Sequence, residues 1–248
     1  MVFAGDRRFE ATQVVVATGA YQCPRVPQFT SELDPEIRQF HSSEYRNPSQ
    51  LREGSVLVVG AGNSGAEIAL EVVREHHTIP AGRDPGSLPL RPDSPLMRLA
   101  NPLANFLSGN LLNIKTSPGR KIHARIWEHG QPVAWFRGPD LEAAGVERFY
   151  HRVTGVRAGK FFLADDRLLY VSNIIWCTGF RRDFSLIDLP IFGEDGYPHE
   201  HRGVVPAAPG LYFVGLVFQS NIFSTLIGGV SRDADYLVNQ ILDRPRQG

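Results

Sequence analysis

The sequence is poor in cysteine, with only two among its 248 residues. Cys23 and Cys177 lie far apart, and neither has a CxxC partner or a histidine at metal-ligand spacing. A redox-active dithiol and a structural zinc site need such pairs. We therefore expect neither, and we expect no bound metal.

Long apolar runs and an excess of charge of one sign are also missing. No stretch approaches the roughly 20 apolar residues of a membrane span, and the N-terminal residues MVFAGDRRFE lack the apolar core of a signal peptide. The 26 basic and 26 acidic side chains cancel. A nucleic-acid partner and a membrane partner are therefore not expected, and the cytoplasm is the expected compartment.

A glycine-rich turn between two regular elements is the most informative feature present. Residues 55–70, SVLVVGAGNSGAEIAL, predict a strand, a turn and a helix. Gly60 permits the tight turn, Gly62 lets the backbone approach a pyrophosphate, and Gly65 lets the helix pack on the strand. The helix N-terminus at Asn63, with the hydroxyl of Ser64, would bind phosphates. An ordinary βα turn is the alternative.

The choice of nucleotide depends on the end of the predicted second strand, HHTIPAGR (76–83). An NAD site usually has Asp or Glu there, whereas Arg83 can bind the 2′-phosphate of NADP(H) through two hydrogen bonds. Asp84 is adjacent, so NAD remains an alternative, as does a solvated loop arginine. The sequence favours NADP(H).

Further strands end at small residues. Gln13–Ala17 precedes Thr18-Gly19, and Ile174–Cys177 precedes Thr178-Gly179. Residues 146–180 predict a small antiparallel meander, and Leu211–Val214 predicts another buried strand. The segment from 84 to about 119 has no clear period.

A closing helix is predicted beyond these strands. Its apolar positions repeat every three or four residues. They are Val230, Ala234, Leu237, Val238 and Ile241.

The order of five segments resembles the later part of flavin-containing monooxygenase-like oxidoreductases, which use FAD and NADPH. The segments are VVVATGAYQCPRVP, HSSEYRNP, VLVVGAGNSGAEIAL, IIWCTGF and PGLYFVGLVFQSNIFSTLIGGVSRDADYLV. The resemblance covers nearly the whole chain and implies an α/β fold of the two-dinucleotide-binding-domain flavoprotein type. A Rossmann-like NADP-binding domain (51–180) would be inserted in an FAD-binding domain, formed by residues 1–50 with a linker and by the return segment 181–248.

The chain departs from this family in two places. Residues 1–50 contain no strand-GxGxxG-helix for the FAD pyrophosphate, so we expect an incomplete FAD-binding domain from a fragment, a split gene or a start assigned too late. The family pattern FxGxxxHxxx(Y/F) keeps His41 and Tyr45 but has Pro35 and Ile37 at its Phe and Gly places.

The resemblance also implies positions for site residues. Thr18-Gly19 and Thr178-Gly179 would mark domain crossings near the cofactors, and His41 and Ser42 would lie near the nicotinamide. The segment Gln219–Leu226 would lie beside the isoalloxazine, with a helix beginning near Thr225. The alternatives are strand ends for the Thr-Gly pairs, a structural loop for His41-Ser42, and plain core for Leu226 and Ile227. No side chain is assigned as catalytic.

The implied function is an NADPH-dependent monooxygenase. NADPH would reduce FAD, and a C4a-(hydro)peroxyflavin formed with O2 would oxygenate a small nucleophilic substrate such as an amine or sulfide. A flavin reductase or NADPH oxidase is one alternative, and a non-catalytic NADP(H)-binding remnant is another. A homo-oligomer, or a complementing chain that carries the N-terminal FAD domain, is the expected protein partner.

Overall fold

The computed structural model describes most of the chain. The described residues are 1–82, 94–95, 109–129, 138–146, 153–157, 159–163 and 168–244. Arg83 and Asp84 lie outside them, as does most of the aperiodic segment that begins at residue 84. Among the helices so described, none has the length and apolar character that a membrane span requires.

The described residues include short strands and α-helices. The strands are β1 (Val2–Ala4), β2 (Arg7–Phe9), β3 (Val14–Val16), β4 (Cys23–Pro24), β5 (Arg38–His41), β6 (Val56–Val59), β7 (Thr78–Ala81), β8 (Val153–Arg157), β9 (Lys160–Leu163), β10 (Leu168–Leu169), β11 (Asn173–Trp176), β12 (Phe180–Arg181) and β13 (Leu211–Phe213). The helices are α1 (Asn63–Val72), α2 (Ser117–His129), α3 (Gly138–Ala143) and α4 (Ile227–Leu242), with 3₁₀ turns at Gln28–Glu32 and Pro48–Gln50.

The chain divides into two compact units, and each is built from segments that are not consecutive in the sequence. The first unit draws on residues 23–101 and 125–181, and the second on residues 1–22, 102–124 and 182–248.

The first unit is built on a parallel sheet with the strand order β5-β11-β6-β7. All four residues of β6 and all four of β11 are buried. A parallel strand covered on both faces needs apolar side chains at consecutive positions. The runs VLVV and NIIW meet this requirement, with one polar exception at Asn173.

Alternate residues of β6 contribute to different cores. Leu57 and Val59 pack with Phe161 of β9, whereas Val56 and Val58 pack with residues of α1 such as Ala69 and Val72. Helix α1 therefore covers one face of the sheet. The antiparallel sheet β10-β9-β8 packs against the other face and confirms the predicted meander for these three strands. The last strand of that prediction, β11, belongs to the parallel sheet instead.

The second unit contains a two-stranded parallel sheet, β3 with β13. Val16 and Phe213 of these strands enter a buried cluster with Phe184, Ile191 and Val205. The structure thus has the α/β fold class expected from the sequence.

Helix α4 shows where the apolar pattern was misleading. Its buried residues are Gly229, Asp233 and Leu237, spaced four apart, whereas Val238 is 51% exposed. The prediction that Val238 belongs to the buried face is therefore wrong. The inward row includes a glycine and an aspartate, which a search for apolar residues passes over.

Candidate functional site

The turn after β6 requires glycine at its first position. Gly60 has φ +116°, and a β-carbon there would lie 2.2 Å from the carbonyl oxygen of Cys177. A side chain at this position would combine an unfavourable backbone conformation with a clash against main-chain atoms. Gly60 N–H donates to the Ala81 carbonyl at 2.8 Å, which fixes the turn against the end of β7.

Gly65 is required for a different reason. It lies in the first turn of α1, and a β-carbon there would lie 1.9 Å from the carbonyl oxygen of Gly60. The helix therefore begins in direct contact with the turn. This close approach holds the helix N-terminus beside the end of β6.

Gly62 differs from both, since among the described residues no atom lies within 4 Å of the β-carbon it could carry. It is the N-cap of α1 with φ −75°, makes no side-chain cap hydrogen bond, and is followed by a first turn without acidic residues. No described side chain or backbone atom therefore contacts the β-carbon side of Gly62, where the positive end of the helix dipole lies. This is the arrangement that an anionic phosphate requires.

The end of β7 lies against the same turn. Gly82 has φ +155°, and a β-carbon there would lie 3.1 Å from the Ala61 backbone nitrogen. The motif as usually written does not include Gly82, so sequence reasoning did not select it. Its contact with Ala61 brings the chain beside the glycine turn at the last described residue before Arg83.

Cys177 packs against the turn at Gly60. Its N–H donates to the Val59 carbonyl at 2.7 Å, and burial raises the pKa of its thiol to about 12. A thiol with this pKa holds almost no thiolate at neutral pH and is a poor nucleophile. Both cysteines of the chain are free.

His41 is buried, and both ring nitrogens are engaged. Nε2 lies 3.0 Å from the Gly179 carbonyl and Nδ1 lies 2.8 Å from Ser43 Oγ. Because a carbonyl only accepts, Nε2 carries the proton in this arrangement. The ring also packs edge-on against Phe180 at 4.9 Å. His41 therefore fastens the end of β5 to the segment after β11.

Ser42 and the second Thr-Gly pair lie in the same neighbourhood. Ser42 N–H donates to the Trp176 carbonyl at 3.0 Å, and Thr178 Oγ1 donates to the Arg25 carbonyl. Gly179 has φ +77°, and no described atom lies within 4 Å of its β-carbon position. The structure thus brings His41, Ser42, Thr178 and Gly179 together at one edge of the first unit.

The first Thr-Gly pair repeats this geometry in the second unit. Gly19 has φ +73° and likewise no described atom within 4 Å of its β-carbon position, and Thr18 Oγ1 accepts from Gln22 Nε2 at 2.5 Å. Both pairs follow a parallel strand, β3 or β11. The two Thr-Gly pairs are therefore similar in backbone conformation as well as in sequence.

Gln219 holds the loop after β13. It is 2% exposed, donates through Nε2 to the Phe213 carbonyl at 2.8 Å, and accepts the Leu216 N–H at 3.2 Å. Ser224 Oγ accepts the N–H groups of Ser220 and Asn221 in the same loop. The loop is thus fixed by its own buried polar groups.

The start of α4 is exposed where the loop ends. Leu226 is its N-cap, and Leu226 and Ile227 are 44% and 96% exposed, so the alternative of plain core for these two is wrong. Thr225 Oγ1 is buried without a hydrogen-bond partner among the described residues. The first turn of α4 carries no acidic residue.

The described residues contain no cluster of three or more His, Cys, Asp or Glu side chains that could hold a metal ion. The predicted site residues fall into two groups. Those of the glycine turn, with His41, Ser42, Thr178 and Gly179, belong to the first unit, and Thr18, Gly19, Gln219, Thr225 and Leu226 belong to the second.

A strand, a glycine turn and a helix in this arrangement are typical of dinucleotide-binding folds, and comparison with known proteins identifies the chain as an oxidoreductase. Residues 2–94 match the model of the pyridine nucleotide-disulphide oxidoreductase family. The chain is 37% identical over 244 residues to a CzcO-like oxidoreductase of Geobacillus kaustophilus and 34% identical over 246 residues to CzcO of Bacillus subtilis. These alignments cover 98% and 97% of the chain and 68% of each relative. The chain belongs to the CzcO-like oxidoreductase family.

Solved structures place the fold among flavoprotein monooxygenases. A flavin-containing monooxygenase from Stenotrophomonas maltophilia matches 93% of this chain with a TM-score of 0.67 and 23% identity. The ornithine hydroxylase PvdA of Pseudomonas aeruginosa matches 92% with a TM-score of 0.60 and 17% identity. The chain spans 62% and 61% of their lengths. The resemblance to flavin-containing monooxygenase-like flavoproteins is confirmed.

Proposed function

We propose that the chain is an NADPH-dependent flavin oxidoreductase that oxygenates a small nucleophilic substrate. The observation that carries this proposal is the β6-turn-α1 unit. Gly60 and Gly65 close the turn, whereas Gly62, at the N-terminus of α1, has no atom of the described residues within 4 Å of its β-carbon position. That space, and not the turn as such, distinguishes a nucleotide site from an ordinary βα connection.

The residues of the turn have separate tasks in this proposal. The N–H groups of the first turn of α1 bind the pyrophosphate, and the exposed Ser64 adds a hydroxyl donor. Arg83 pairs with the 2′-phosphate, which selects NADP(H) over NAD(H). The first unit would then be the NADP-binding domain.

The second unit fits the flavin end of FAD. The N-terminus of α4 has no acidic residue in its first turn, and Thr225 Oγ1 is a buried hydroxyl without a partner among the described residues. A bound flavin supplies hydride acceptance and reaction with O2. Gln219 keeps the loop before α4 in place, and the apolar Leu226 would help to exclude water.

Family membership supports oxidoreductase activity, and the names of more distant relatives suggest oxygenation. A flavin-containing monooxygenase, FMO GS-OX-like 9 of Arabidopsis thaliana, is 43% identical over 210 residues. That alignment covers 82% of this chain and 36% of the plant protein. Proposed partners are the small-molecule substrate, O2 and a second copy of the chain or a separate FAD-binding chain. NADPH dependence agrees with the cytoplasmic location expected from the sequence.

Nucleotide binding is the first test, because it does not depend on flavin. Calorimetric titration should show tighter binding of NADPH than of NADH. Gly62→Val should abolish binding of both, since its side chain fills the space in front of the helix. Glu67→Gln, an exposed change further along α1, should bind as the parent does. Normal binding by Gly62→Val at unchanged thermal stability would refute the site.

The second test separates oxygenase from oxidase. With FAD supplied, NADPH should bleach the flavin absorbance without O2. On admission of air, a tertiary amine or an alkyl aryl sulfide should be converted to its oxide in amounts that match NADPH consumed. Consumption matched by H2O2 alone would indicate an NADPH oxidase, and binding without flavin reduction would indicate a binding module.

A further inference from the structure

Phe218 has a backbone conformation that is unusual for an aromatic residue. Its φ is +55°, and among the described residues only Arg202 shares a positive φ without being glycine. A bulky side chain in this left-handed region is unfavourable and persists only where its surroundings hold it there. Phe218 is 4% exposed, so the packing of the second unit surrounds it.

Phe218 lies at a turn position that ordinarily favours glycine. The Gln219 N–H donates to the Leu216 carbonyl at 3.3 Å, which makes Phe218 the third residue of a four-residue turn. In type II turns the third residue has a positive φ and is usually glycine. The phenyl ring must therefore make contacts that outweigh its cost to the backbone.

The ring of Phe218 contacts the ring of His123 on helix α2. The two ring centroids are 5.1 Å apart and the ring planes meet at 62°, an edge-on arrangement that aromatic side chains favour. Burial and the charge of Arg182 lower the pKa of His123 below the ordinary 6.5. The contact at neutral pH is therefore one between two uncharged rings.

Helix α2 is held beside the same loop by a second contact. A β-carbon on Gly119 would lie 1.9 Å from the Asn113 carbonyl oxygen, so the first turn of α2 lies directly against Asn113. The Gly119 N–H donates to Thr116 Oγ1 at 3.1 Å, which caps the helix. Gly119 and His123 are four residues apart and share one face of α2. The face that contacts Asn113 therefore also carries His123.

The residues around Asn113 pair in turn with the loop that follows Phe218. Asn113 and Asn221 form an antiparallel bridge. Two backbone hydrogen bonds flank it, from the Ile114 N–H to the Ser220 carbonyl at 3.1 Å and from the Ile222 N–H to the Leu112 carbonyl at 3.3 Å. The loop is thus joined to α2 at both places, through the bridge and through the two rings.

We propose that Phe218 and His123 are positioning residues, which hold the loop of residues 219–226 in the conformation that faces the flavin. Phe218 immediately precedes Gln219, so the conformation at Phe218 sets the direction in which the chain enters the loop. The His123 ring opposes a return of Phe218 to an ordinary backbone conformation. The flavin part of this inference rests on the proposed function.

The contacts within the loop and those with α2 have different effects. Gln219 and Ser224 make hydrogen bonds within residues 213–224, and these fix the shape of the loop. The contacts with residues 112–123 attach it to a distant part of the chain. Loss of the contact between the rings should therefore loosen the loop more than it destabilises the whole unit.

The first test is hydrogen exchange of the flavin-free 248-residue chain, read by mass spectrometry of peptides that cover residues 216–226. His123→Ala should accelerate exchange there by roughly 2- to 10-fold, the factor that an aromatic pair contributes. His123→Phe retains a ring and should restore the parental rate, and Lys121→Ala, an exposed change on α2, should not alter it. Parental exchange in His123→Ala, or no rescue by His123→Phe, would overturn the proposal.

Two substitutions at Phe218 test the backbone part of the argument even if His123→Ala does not fold. Phe218→Ala and Phe218→Gly both remove the ring, but only glycine adopts a positive φ without strain. Phe218→Gly should therefore resist urea better than Phe218→Ala, the reverse of the usual order of these two residues. Greater resistance of Phe218→Ala would contradict the left-handed conformation and overturn the proposal.

The second test connects the contact to flavin through the quenching of FAD fluorescence. His123→Ala should weaken FAD binding by roughly 2- to 10-fold, His123→Phe should bind FAD as the parent does, and NADPH binding should stay unchanged in both. A loosened loop with parental FAD affinity would overturn the positioning role. If the parent chain binds no FAD, the proposed flavin function fails, and hydrogen exchange alone then decides whether the two rings hold the loop.

Discussion

The carbonyl oxygen of Gly60 lies 1.9 Å from the point where a β-carbon on Gly65 would be placed. The two glycines are therefore required together, because the turn made possible by the first occupies the space that a side chain on the second would need. Gly62, between them, has no such neighbour in the part of the chain that the structure describes. The three glycines of the motif thus separate into two that build the turn and one that no described residue crowds.

This difference predicts opposite outcomes for two alanine substitutions. Gly65→Ala should lower the free energy of unfolding by about 1–3 kcal/mol, because it overpacks a buried contact with the backbone. Gly62→Ala should lower the free energy of unfolding by about 1 kcal/mol or less, the difference between glycine and alanine at an N-cap. It should weaken the free energy of NADPH binding by more than this amount. Urea unfolding and calorimetric titration measure the two effects. Gly65→Ala with parental stability would contradict the packing argument.

Arg83 provides a test of cofactor choice. Arg83→Ala should weaken NADPH binding by about 1.5–3 kcal/mol, the strength of a hydrogen bond to a charged group, and leave NADH binding nearly unchanged. Arg74→Ala removes the same charge from an exposed position just after α1 and is the matched control. Equal losses for the two nucleotides, or equal effects of the two substitutions, would rule out a specific contact with the 2′-phosphate.

The elements that sequence alone could predict are those defined by local patterns. The strand-turn-helix at residues 55–70, the strand ending at Ala81 and the meander of β8, β9 and β10 each follow from apolar periodicity and glycine positions. The residues that sequence patterns missed depend on contacts between parts of the chain that are far apart in sequence. Asp233 occupies an inward position of α4 that the pattern reserves for apolar side chains, and its carboxylate has no hydrogen-bond partner among the described residues.

Asn173 is another polar residue of this kind. It is fully buried in β11, where its Oδ1 accepts the Arg52 N–H and its Nδ2 donates to the Arg52 carbonyl, both at 2.8 Å. Asn173→Ala leaves both backbone groups unpaired and should cost about 2–4 kcal/mol, roughly 1–2 for each. Ser31→Ala, which removes an exposed hydrogen bond to Gln28, should change stability by about 0.5 kcal/mol or less. Equal effects of the two changes in urea unfolding would contradict this account.

The hydroxyl of Tyr45 should make the free energy of unfolding depend on pH in the alkaline range. Its hydroxyl donates to Glu71 Oε2 at 3.0 Å, and burial, the hydrogen bond and the charge of Glu71 all raise its pKa above the ordinary 10.0. The stabilising contribution is complete below the unfolded pKa and is lost as pH rises above about 10 toward the folded value. Tyr45→Phe should therefore show a shallower loss of stability above about pH 10 than the parent chain. If the stability of Tyr45→Phe fell with alkaline pH as steeply as that of the parent chain, the coupling between Tyr45 ionisation and folding would be refuted. Tyr21→Phe, at an exposed position, is the control.

The last prediction concerns thiol chemistry, because the model matched by residues 2–94 describes disulphide oxidoreductases. Burial raises the pKa of Cys177 to about 12, so its thiolate is nearly absent at neutral pH. In a Cys23→Ser background, iodoacetamide should label Cys177 slowly in the native chain and rapidly in urea, as read by mass spectrometry. Because the reaction proposed for this chain uses no thiol, Cys23→Ser combined with Cys177→Ser should retain NADPH binding and NADPH-dependent flavin reduction. Rapid native labelling of Cys177, or loss of flavin reduction in the double variant at unchanged stability, would instead assign the cysteines a part in the chemistry.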